Sequence, residues 1–502
     1  MRHTLIALMT FVLISCHNKE GEQYALQEVY ANPQIIYDEH PDFVTLYNKA
    51  WDLAKEHVDS CKGLVQTPYI DEAFDPKVIW IWDTAFMLHF FKYSSSNYPS
   101  LASLNNFYGP IHDHKEIPLK IEIPDNPPLF AWVEHAFFKQ NGDTTHIKEL
   151  LYETQYLQKH FEWFDTVPRG TVIANSAPTC IEKTPHGYRW EGGRSGMDNT
   201  PRGRKGKHAI AHRPNNPDML WIDAIAQQGL SALYISRLFD EVNDPKQAQI
   251  WNDKYEAIKK TINTYYWDEK DGTYYDINRK DLSHIKLLTP ASYWPILAEM
   301  ASPEQVQKMV NHVKDDKLLG GKIPWTTVAR NDNDFDPEGG YWRGSVWLPT
   351  AFMGIKAIEK YGYRDLAHQQ AIQIVSHMLR TYQEYSPHTI WECYNPNEPK
   401  PATDVHGHDV RPDFCGWSAL GPISLMIENI LGFYDVDGIT KTVKWDLKGS
   451  SKQGIQSLRF GGIITNIIYQ NGKINIESSN PYTLIVNGHT FEIPEGHSKW
   501  SL

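Results

Sequence analysis

The segment WEGGRSGMDNTPR, residues 190–202, places a carboxyl group on a loop shaped by its own residue types. Three glycines come before Asp198 and a proline follows it, so we expect the chain to turn here rather than to continue a helix or strand. Trp190 opens the segment, and Arg194 and Arg202 flank the acid. Such a loop suits a binding or catalytic site, and equally a solvated turn whose acid caps a helix or pairs with an arginine.

Four other segments repeat this combination of an aromatic ring beside a charged or small residue. Taken singly, each has an ordinary structural explanation, such as a helix cap, a packed ring or a turn. Five such segments on the same kind of loop favour a shared site. The four are Trp82-Asp83, residues 339–347 with Trp342, Arg343 and Trp347, residues 391–396 with Glu392, and residues 414–418 with Trp417.

Asp198 and Glu392 are the two acids best placed for glycoside hydrolysis. That reaction needs one carboxyl to protonate the leaving oxygen and a second to activate water or to attack the anomeric carbon. Aromatic rings cover the apolar face of a sugar well, although core packing also explains a chain in which 13% of residues are aromatic. We therefore predict a glycosidase site with these two acids as its reactive pair.

The elements that must position these loops are mostly helical. Apolar residues recur at helical spacing in segments of a length that suits antiparallel pairs, and the loops between them are uneven, with the longest carrying the densest Trp, Arg, Asp and Gly. This pattern predicts an all-α toroid of six helical hairpins, an (α/α)6 barrel over residues 36–436, with one rim elaborated into a site. The predicted helices are 42–58, 81–91, 127–139, 144–165, 218–239, 243–264, 290–300, 303–314, 345–361, 363–384 and 416–432.

A change of pattern near residue 436 predicts a second domain. Residues 437–502 contain short runs with strand-like alternation. Asn471-Gly472 and Asn487-Gly488 lie between such runs and are strong signals for two-residue β-hairpins. We expect a small all-β domain with a structural role, because it holds no group of convergent acids.

The first residues predict export. Arg2 precedes a short apolar run, which is typical of a signal peptide over residues 1–15 and is too short to span a bilayer. The run ends in Leu-Ile-Ser-Cys, so Cys16 is the predicted lipidation site, followed by a tether over residues 16–35. The alternative is an ordinary signal peptide with a coincidental cysteine. We expect a periplasmic or outer-membrane lipoprotein of a Gram-negative bacterium, held at the membrane by its lipid.

Charge and cysteine usage exclude other classes of partner. The net charge of -12 and the lack of a basic tract argue against nucleic acid. The acidic and histidine-rich stretch at 112–116 is interpreted as a loop, and no cysteine spacing matches a zinc site, so no metal is expected. Acid/base hydrolysis of a glycoside also requires no metal and no organic cofactor. Four cysteines besides Cys16 leave their disulfide pairing open: Cys61, Cys180, Cys393 and Cys415.

The ordered motifs WDT, SGMDNTPR, GGYWRGSVWLP, WECYNP and FCGWSAL resemble those of the (α/α)6-barrel glycoside hydrolases of family 63 and the related family 37 trehalases. The resemblance covers roughly residues 75–432 and is nearer to family 63, including its mannosylglycerate-hydrolase-like and α-glucosidase-like members. It implies an exo-acting, inverting α-glycosidase that releases a terminal sugar from oligosaccharides. It also implies that Asp198 is the general acid and Glu392 the general base.

The same resemblance implies which side chains bind the terminal sugar. Aromatic and charged residues of the matching motifs would line its subsite, and the flanking residues of the first segment would complete it. The predicted substrate-binding residues are Trp82, Asp83, Trp190, Arg194, Arg202, Trp342, Arg343, Trp347 and Trp417.

The chain also departs from the family pattern. RSGMDN replaces the more usual ESGMDN, so we expect Arg194 to reshape the pocket. The charged stretch 398–412 contains four side chains that would contact an acidic or branched substrate, or would simply be solvated: His406, His408, Asp409 and Arg411. Two other functions remain open, a non-catalytic glycan-binding lipoprotein and a polysaccharide lyase of the same toroid fold. The sugar, the linkage and the oligomeric state are also open.

Overall fold

The computed structural model describes residues 32–72, 75–203 and 216–502. Helices are the main regular structure of this chain up to residue 430. The helices are α1 Pro41–Glu56, α2 Ile81–Phe91, α3 Asn105–His112, α4 Phe130–Asn141, α5 Thr144–Lys148, α6 Tyr156–Thr166, α7 Ile222–Glu241, α8 Pro245–Tyr265, α9 Trp294–Leu297, α10 Pro303–His312, α11 Leu348–Lys360 and α12 Arg364–Glu384. Two π-helices, Glu149–Thr154 and Gly421–Ile430, follow the wider i→i+5 pattern.

The helices fall into two classes by burial. α2 and the π-helix Gly421–Ile430 are buried along every residue, and α7 is buried along most of its length. α8 and α12 instead bury one stripe and expose the rest. A helix that is apolar all round needs neighbours on every side, whereas an amphipathic helix lies at the surface. Consecutive helices pack as hairpins, as α7 does against α8. The chain is thus a helix-rich body with a buried and a more exposed set of helices.

Three predicted helices are interrupted in the structure. The segment 144–165 is divided at Gln155, whose φ of 54° lies in the left-handed region and breaks the helical hydrogen-bond ladder. The segment 290–300 contains only a 3-10 turn followed by the four-residue α9. The segment 416–432 is a 3-10 turn followed by a π-helix. Apolar periodicity predicts that a segment is helical, and it does not resolve these local changes of winding.

The C-terminal region forms two β-sheets, one of which includes a strand from the start of the described chain. The strands are β1 Gln34–Tyr37, β2 Asp435–Asp437, β3 Thr442–Trp445, β4 Gln453–Phe460, β5 Ile463–Gln470, β6 Lys473–Ser478, β7 Tyr482–Val486, β8 His489–Ile493 and β9 Gly496–Ser501. One sheet has the order β1-β4-β5-β6-β9 and the other β2-β3-β7-β8. Within these sheets only β3 and β7 pair in parallel.

Both predicted β-hairpins are confirmed. Asn471-Gly472 connects β5 to β6, and Asn487-Gly488 connects β7 to β8. All four turn residues have positive φ, as the tight two-residue hairpin turn requires.

The predicted boundaries of the β domain need a correction. β1 pairs antiparallel with β4, with Ile35 opposite Ile455, although residues 34–35 were expected in the tether and 36–37 in the helical domain. β2 begins at Asp435, two residues before the predicted start. A four-residue strand carries too short an alternation to be recognised, and its partner lies at the other end of the chain.

Trp445 joins the β-sheets to the helical body. Its ring is fully buried and stacks on Phe433 at 4.6 Å, and its indole N–H donates to the carbonyl of Leu431, directly after the last helix. A buried aromatic ring with a satisfied N–H is a strong packing anchor. The β region is therefore anchored to the residues that directly follow the π-helix Gly421–Ile430. Trp417 lies shortly before the same helix.

Within the described residues, no helix is both long and apolar enough to cross a membrane. The predicted signal peptide at 1–15, the lipidation site Cys16 and most of the tether lie outside the described residues.

Candidate active site

The loops that precede the buried helices meet around one cavity of about 170 Å³. Asp83 is in the first turn of α2, Trp347 immediately precedes α11, and Trp417 precedes the turn into Gly421–Ile430. The cavity is lined by Trp80, Trp82, Asp83, Ile123, Asn126, Gly193, Gly196, Asp198, Tyr341, Trp342, Trp347, Glu392, Arg411 and Trp417. Seven of the eleven predicted site residues are in this set, including both proposed catalytic acids.

Tryptophan rings form the wall of the cavity. Trp342 and Trp347 stack with ring centroids 3.9 Å apart and planes 15° from parallel. Trp417 lies 5.3 Å from Trp347, and Trp82 meets Trp342 edge-on at 6.5 Å. Offset and edge-to-face contacts are the favoured arrangements of aromatic rings. These four rings therefore pack against one another and line the cavity with aromatic surface, which suits the apolar face of a sugar.

Glu392 is a buried carboxyl held by two neighbours. The Tyr341 hydroxyl donates to Oε1 at 2.9 Å, and the Arg411 guanidinium lies 3.6 Å from the same oxygen. The backbone N–H of Arg411 approaches Oε2 at 3.4 Å. Burial raises the pKa of Glu392 above its ordinary value, and Arg411 and the Tyr341 hydroxyl act in the opposite direction. The carboxyl is thus held in a defined orientation, and burial and its two neighbours shift its pKa in opposite directions.

The loop that carries Asp198 is fixed by close packing and by one amide. Gly196 has a φ of 80°, and a side chain there would overlap the Trp82 ring, so glycine is required on both grounds. The Asn199 side chain donates to the carbonyl of Gly340 at 2.9 Å and accepts from the N–H of Trp342 at 2.7 Å. Asn199 therefore ties the Asp198 loop directly to the loop that carries Tyr341 and Trp342.

Asp83 brings a third carboxyl to the cavity. It is buried, and its Oδ1 has no hydrogen-bond partner among the described residues. Burial raises the pKa of Asp83 well above its ordinary value, and the nearby acids Asp71, Glu72 and Glu392 raise it further. A buried polar atom without a partner is costly unless a ligand satisfies it. Asp83 is therefore suited to bind a sugar hydroxyl.

Two predicted binding residues, Arg194 and Trp190, hold the loop and do not line the cavity. Arg194 is buried and pairs with Asp125 at 2.8 Å and with Glu191 at 3.1 Å. The indole N–H of Trp190 donates to the carbonyl of Asp125 at 3.0 Å. The Arg194 guanidinium is bound by Asp125, Glu191 and the carbonyl of Pro178 and does not line the cavity, so any effect of Arg194 on the pocket would act through the position of the loop.

Arg202 is likewise a structural residue. Its guanidinium forms two hydrogen bonds with Asp223 and two with Asp276, at 2.7–3.0 Å, and it lies over the Trp221 ring. All three charged groups are almost completely buried. A buried pair satisfied in this way is costly to break from one side. Arg202 anchors the end of the Asp198 loop to the start of α7 and is not available to a substrate.

Arg343 lines a neighbouring cavity of about 460 Å³ rather than the one that contains Glu392. Asn199 and Gly340 also line this neighbouring cavity, together with the acids Asp336, Glu338 and Asp404. Of the four side chains singled out in the stretch 398–412, only Arg411 lines the cavity with the two acids.

Two residues that line the cavity with Glu392, Tyr341 and Asn126, were not identified from the sequence. Tyr341 belongs to the quoted motif GGYWRGSVWLP, and its φ of 66° is unusual for a residue with a side chain. Asn126 lies on the cavity wall, and its side-chain amide donates to the carbonyl of Arg194 at 3.0 Å. The motif was a usable signal for Tyr341, whereas no local pattern marks Asn126.

Among the described residues, no group of histidine, cysteine, aspartate and glutamate side chains could hold a metal ion. Cys61, Cys180, Cys393 and Cys415 are free thiols, and the last three are buried.

The family is established by comparison. The family model described as "Mannosylglycerate hydrolase MGH1-like glycoside hydrolase domain" matches residues 122–409, more than half of the chain. The chain belongs to this family and is a glycoside hydrolase. The resemblance stated from the motifs is thereby confirmed, and neither the glycan-binding nor the lyase alternative is retained.

The individual proteins that resemble this chain have low sequence identity to it. An uncharacterized protein of Borreliella burgdorferi is 26% identical over 494 residues, which cover 92% of this chain and 97% of that protein. The mannosyl-oligosaccharide glucosidase of Saccharomyces cerevisiae is 23% identical over 308 residues, which cover 55% of this chain but only 34% of the glucosidase. The crystal structure of a family 63 mannosylglycerate hydrolase from Thermus thermophilus with Tris matches with a TM-score of 0.53 and 16% identity, covering 76% of this chain and 99% of its own. This structural likeness shows a shared fold.

The Arg202 cluster predicts a large effect on stability. Arg202→Met leaves Asp223 and Asp276 buried without their cation, so we expect the free energy of unfolding to fall by about 3–5 kcal/mol. Urea unfolding followed by tryptophan fluorescence measures this.

Arg380→Met is the matched control, because it breaks an exposed pair with Glu384 and should cost at most about 1 kcal/mol. Adding Asp223→Asn to Arg202→Met should recover part of the loss. Equal urea midpoints for the Arg202 and Arg380 variants would contradict the structural role of Arg202.

Proposed function

We propose that this glycoside hydrolase is an exo-acting, inverting α-glycosidase that removes a terminal sugar from oligosaccharides. The observation that carries the proposal is that Asp198 and Glu392, from segments almost 200 residues apart, line the same small tryptophan-walled cavity. A pair of carboxyls at one sugar site is what acid/base glycoside hydrolysis requires. The small volume of the cavity favours a single terminal sugar over an internal stretch of a chain.

In the proposed mechanism Glu392 is the general base. Its carboxylate accepts a proton from water as the water oxygen attacks the anomeric carbon. Tyr341 and Arg411 orient the carboxylate and favour its charged form, while burial increases its basicity. A carboxylate with a raised pKa is a stronger base than an exposed one, which suits a general base.

Asp198 is the proposed general acid. It gives its proton to the glycosidic oxygen as the bond to the anomeric carbon breaks, so the leaving sugar departs as an alcohol. The glycine at 196 and the amide of Asn199 set the position of this loop against Trp82 and Trp342. Precise placement matters because proton transfer needs the acid within hydrogen-bond reach of the leaving oxygen.

Asp83 and the four tryptophans are the proposed binding residues of the terminal sugar. The unpartnered Oδ1 of Asp83 would bind a ring hydroxyl, and the rings of Trp82, Trp342, Trp347 and Trp417 would cover apolar C–H faces. An unsatisfied buried group discriminates strongly between a sugar that carries the matching hydroxyl and one that lacks it.

The helical body is proposed to be an (α/α)6 barrel. The supporting observation is that segments before or at the start of α2, α4, α7, α11 and Gly421–Ile430 all contribute to one cavity. Parallel inner helices that begin at the same rim would produce this arrangement. The barrel would occupy about residues 38–434, with β1 and residues 435–502 forming the β domain.

The proposed location is the cell envelope of a Gram-negative bacterium, either periplasmic or at the outer membrane. The proposal rests on the signal-like residues 1–15 and on Cys16, which would carry the lipid anchor.

Substitution of the two acids separates their roles. Glu392→Gln removes the base and should lower kcat on every α-glycoside by about 10²–10⁴-fold. Asp198→Asn removes the acid and should lower kcat by a similar factor on α-linked disaccharides. The same variant should lose much less on 4-nitrophenyl α-glycosides, because nitrophenolate leaves without protonation.

A panel of 4-nitrophenyl α-D-glycosides and natural α-linked disaccharides provides the measurement, and Glu398→Gln on the adjacent loop is the control. Full activity in the Glu392→Gln variant, or equal losses of the Asp198→Asn variant on both substrate classes, would show that the roles are wrongly assigned.

Tyr341→Phe tests the hydrogen bond to the base. The hydroxyl stabilises the ionised carboxyl, so its removal raises the pKa of Glu392 further. Because the base works only when ionised, the acid limb of the kcat/KM profile should move to higher pH by about 1–2 units. Tyr382→Phe, an exchange on α12 away from the cavity, should leave the limb in place. A limb that stays in place in the Tyr341 variant would refute the role of this hydroxyl.

A further inference from the structure

A second and larger cavity, of about 480 Å³, lies at the other end of the same buried helices. α2 connects the two cavities: Trp82 lines the first, and His89, two turns further along, lines the second. Seven residues of helix span about 10 Å. Segments of α4, α11, Gly421–Ile430 and β2 complete the second cavity, which therefore lies where the helical body meets the β region.

Aromatic rings separate the two cavities. Phe86, between Trp82 and His89 on α2, packs 4.7 Å from Trp82 and 6.0 Å from Trp132. The His89 and Trp132 rings are 3.9 Å apart. A ligand in the second cavity would therefore contact none of the residues that we assign to hydrolysis.

Two polar side chains of this cavity are available to a ligand. His89 is almost fully buried, and its Nε2 is without a hydrogen-bond partner among the described residues. Arg364, at the start of α12, is solvent-exposed and lies over the Tyr434 ring at 4.5 Å. No described carboxylate lies within ion-pair distance of it, although its charge acts on Glu359 and Asp365. Buried polar atoms are normally satisfied, so an orphaned imidazole that lines a cavity indicates a binding group.

The lysines of the cavity are already paired. Lys92 lies 2.9 Å and Lys356 2.8 Å from the carboxylate of Glu428. Lys360 lies 2.7 Å from Glu299, and Lys139 pairs with Asp437. Among the described lysine and arginine side chains that line this cavity, Arg364 is therefore the one without a carboxylate within ion-pair distance. It provides one positive charge in a planar fork suited to a carboxylate.

The histidines contribute hydrogen bonds rather than charge. Burial, together with the nearby charges of Lys92 and Lys356, lowers the pKa of His89 to about 3. Burial likewise lowers the pKa of His135, which also lines the cavity, to about 3. Both rings are neutral near pH 7, and a neutral imidazole both donates and accepts, as recognition of a hydroxyl requires.

From these groups we propose that the second cavity binds a small hydroxylated carboxylate, with its carboxylate on Arg364 and its hydroxyls on His89 and His135. The volume is within the range of small-molecule sites, and aromatic rings with a few convergent polar groups are the usual lining of such sites. This binding site is separate from the proposed hydrolytic function and does not depend on it.

Calorimetric titration of the whole protein with D-gluconate tests the proposal. D-Sorbitol, a polyol of the same length without the carboxylate, and acetate, a carboxylate without hydroxyls, are the matched probes. We expect D-gluconate to bind at one site and both probes to bind at least about tenfold more weakly, because each lacks one of the two recognised features.

Variants locate the binding. Arg364→Met should weaken D-gluconate binding by about tenfold or more, and Arg380→Met on the same helix should not change it. His89→Phe keeps a ring against Trp132 and should weaken binding by about threefold or more, which gives a second test should Arg364→Met prove unstable. Glu392→Gln should leave the affinity unchanged.

Three results would overturn the proposal. D-Gluconate that fails to bind would exclude the ligand class. Equal affinities of the Arg364 and Arg380 variants would exclude Arg364 as the anion-binding group. Loss of binding in Glu392→Gln would place D-gluconate in the hydrolytic cavity instead.

Discussion

The site depends on a loop that is anchored at both ends by buried arginines. At one end Arg202 donates two hydrogen bonds to Asp223 and two to Asp276. At the other end Arg194 pairs with Asp125 and Glu191. The segment between them is a loop that contains Gly196, and ordering such a loop costs conformational entropy. Between these ends, the Asn199 side chain adds two hydrogen bonds to the loop that carries Trp342.

This anchoring explains where sequence reasoning succeeded and where it failed. The motif SGMDNTPR correctly marked a loop on the cavity wall, because glycine, proline and an acid constrain local conformation in a recognisable way. The flanking arginines were assigned to the substrate because their partners are distant in sequence: Asp276 is 74 residues from Arg202, and Asp125 is 69 residues from Arg194. Whether an arginine meets a ligand or a carboxylate of its own chain is decided by the fold.

The same distinction applies to the fold. Long apolar helices such as α7 and the Asn-Gly hairpins of the β region were predictable, because period and turn chemistry are local properties. The left-handed break at Gln155 and the pairing of β1 with β4 were not. The first is a change at one residue, and the second is a contact between the two ends of the chain. The contact of Tyr341 with Glu392 is again a long-range contact inside a recognisable motif.

The central claim is that Asp198 and Glu392 act on opposite sides of an α-glycosidic bond with inversion. Proton NMR during the first minutes of hydrolysis of the best α-glycoside measures it most directly, because the anomer released is seen before mutarotation mixes the two forms. Inversion predicts that the β-anomer of the released sugar appears first. Initial release of the α-anomer would require a covalent intermediate and would contradict the assignment of Glu392 as a base that activates water.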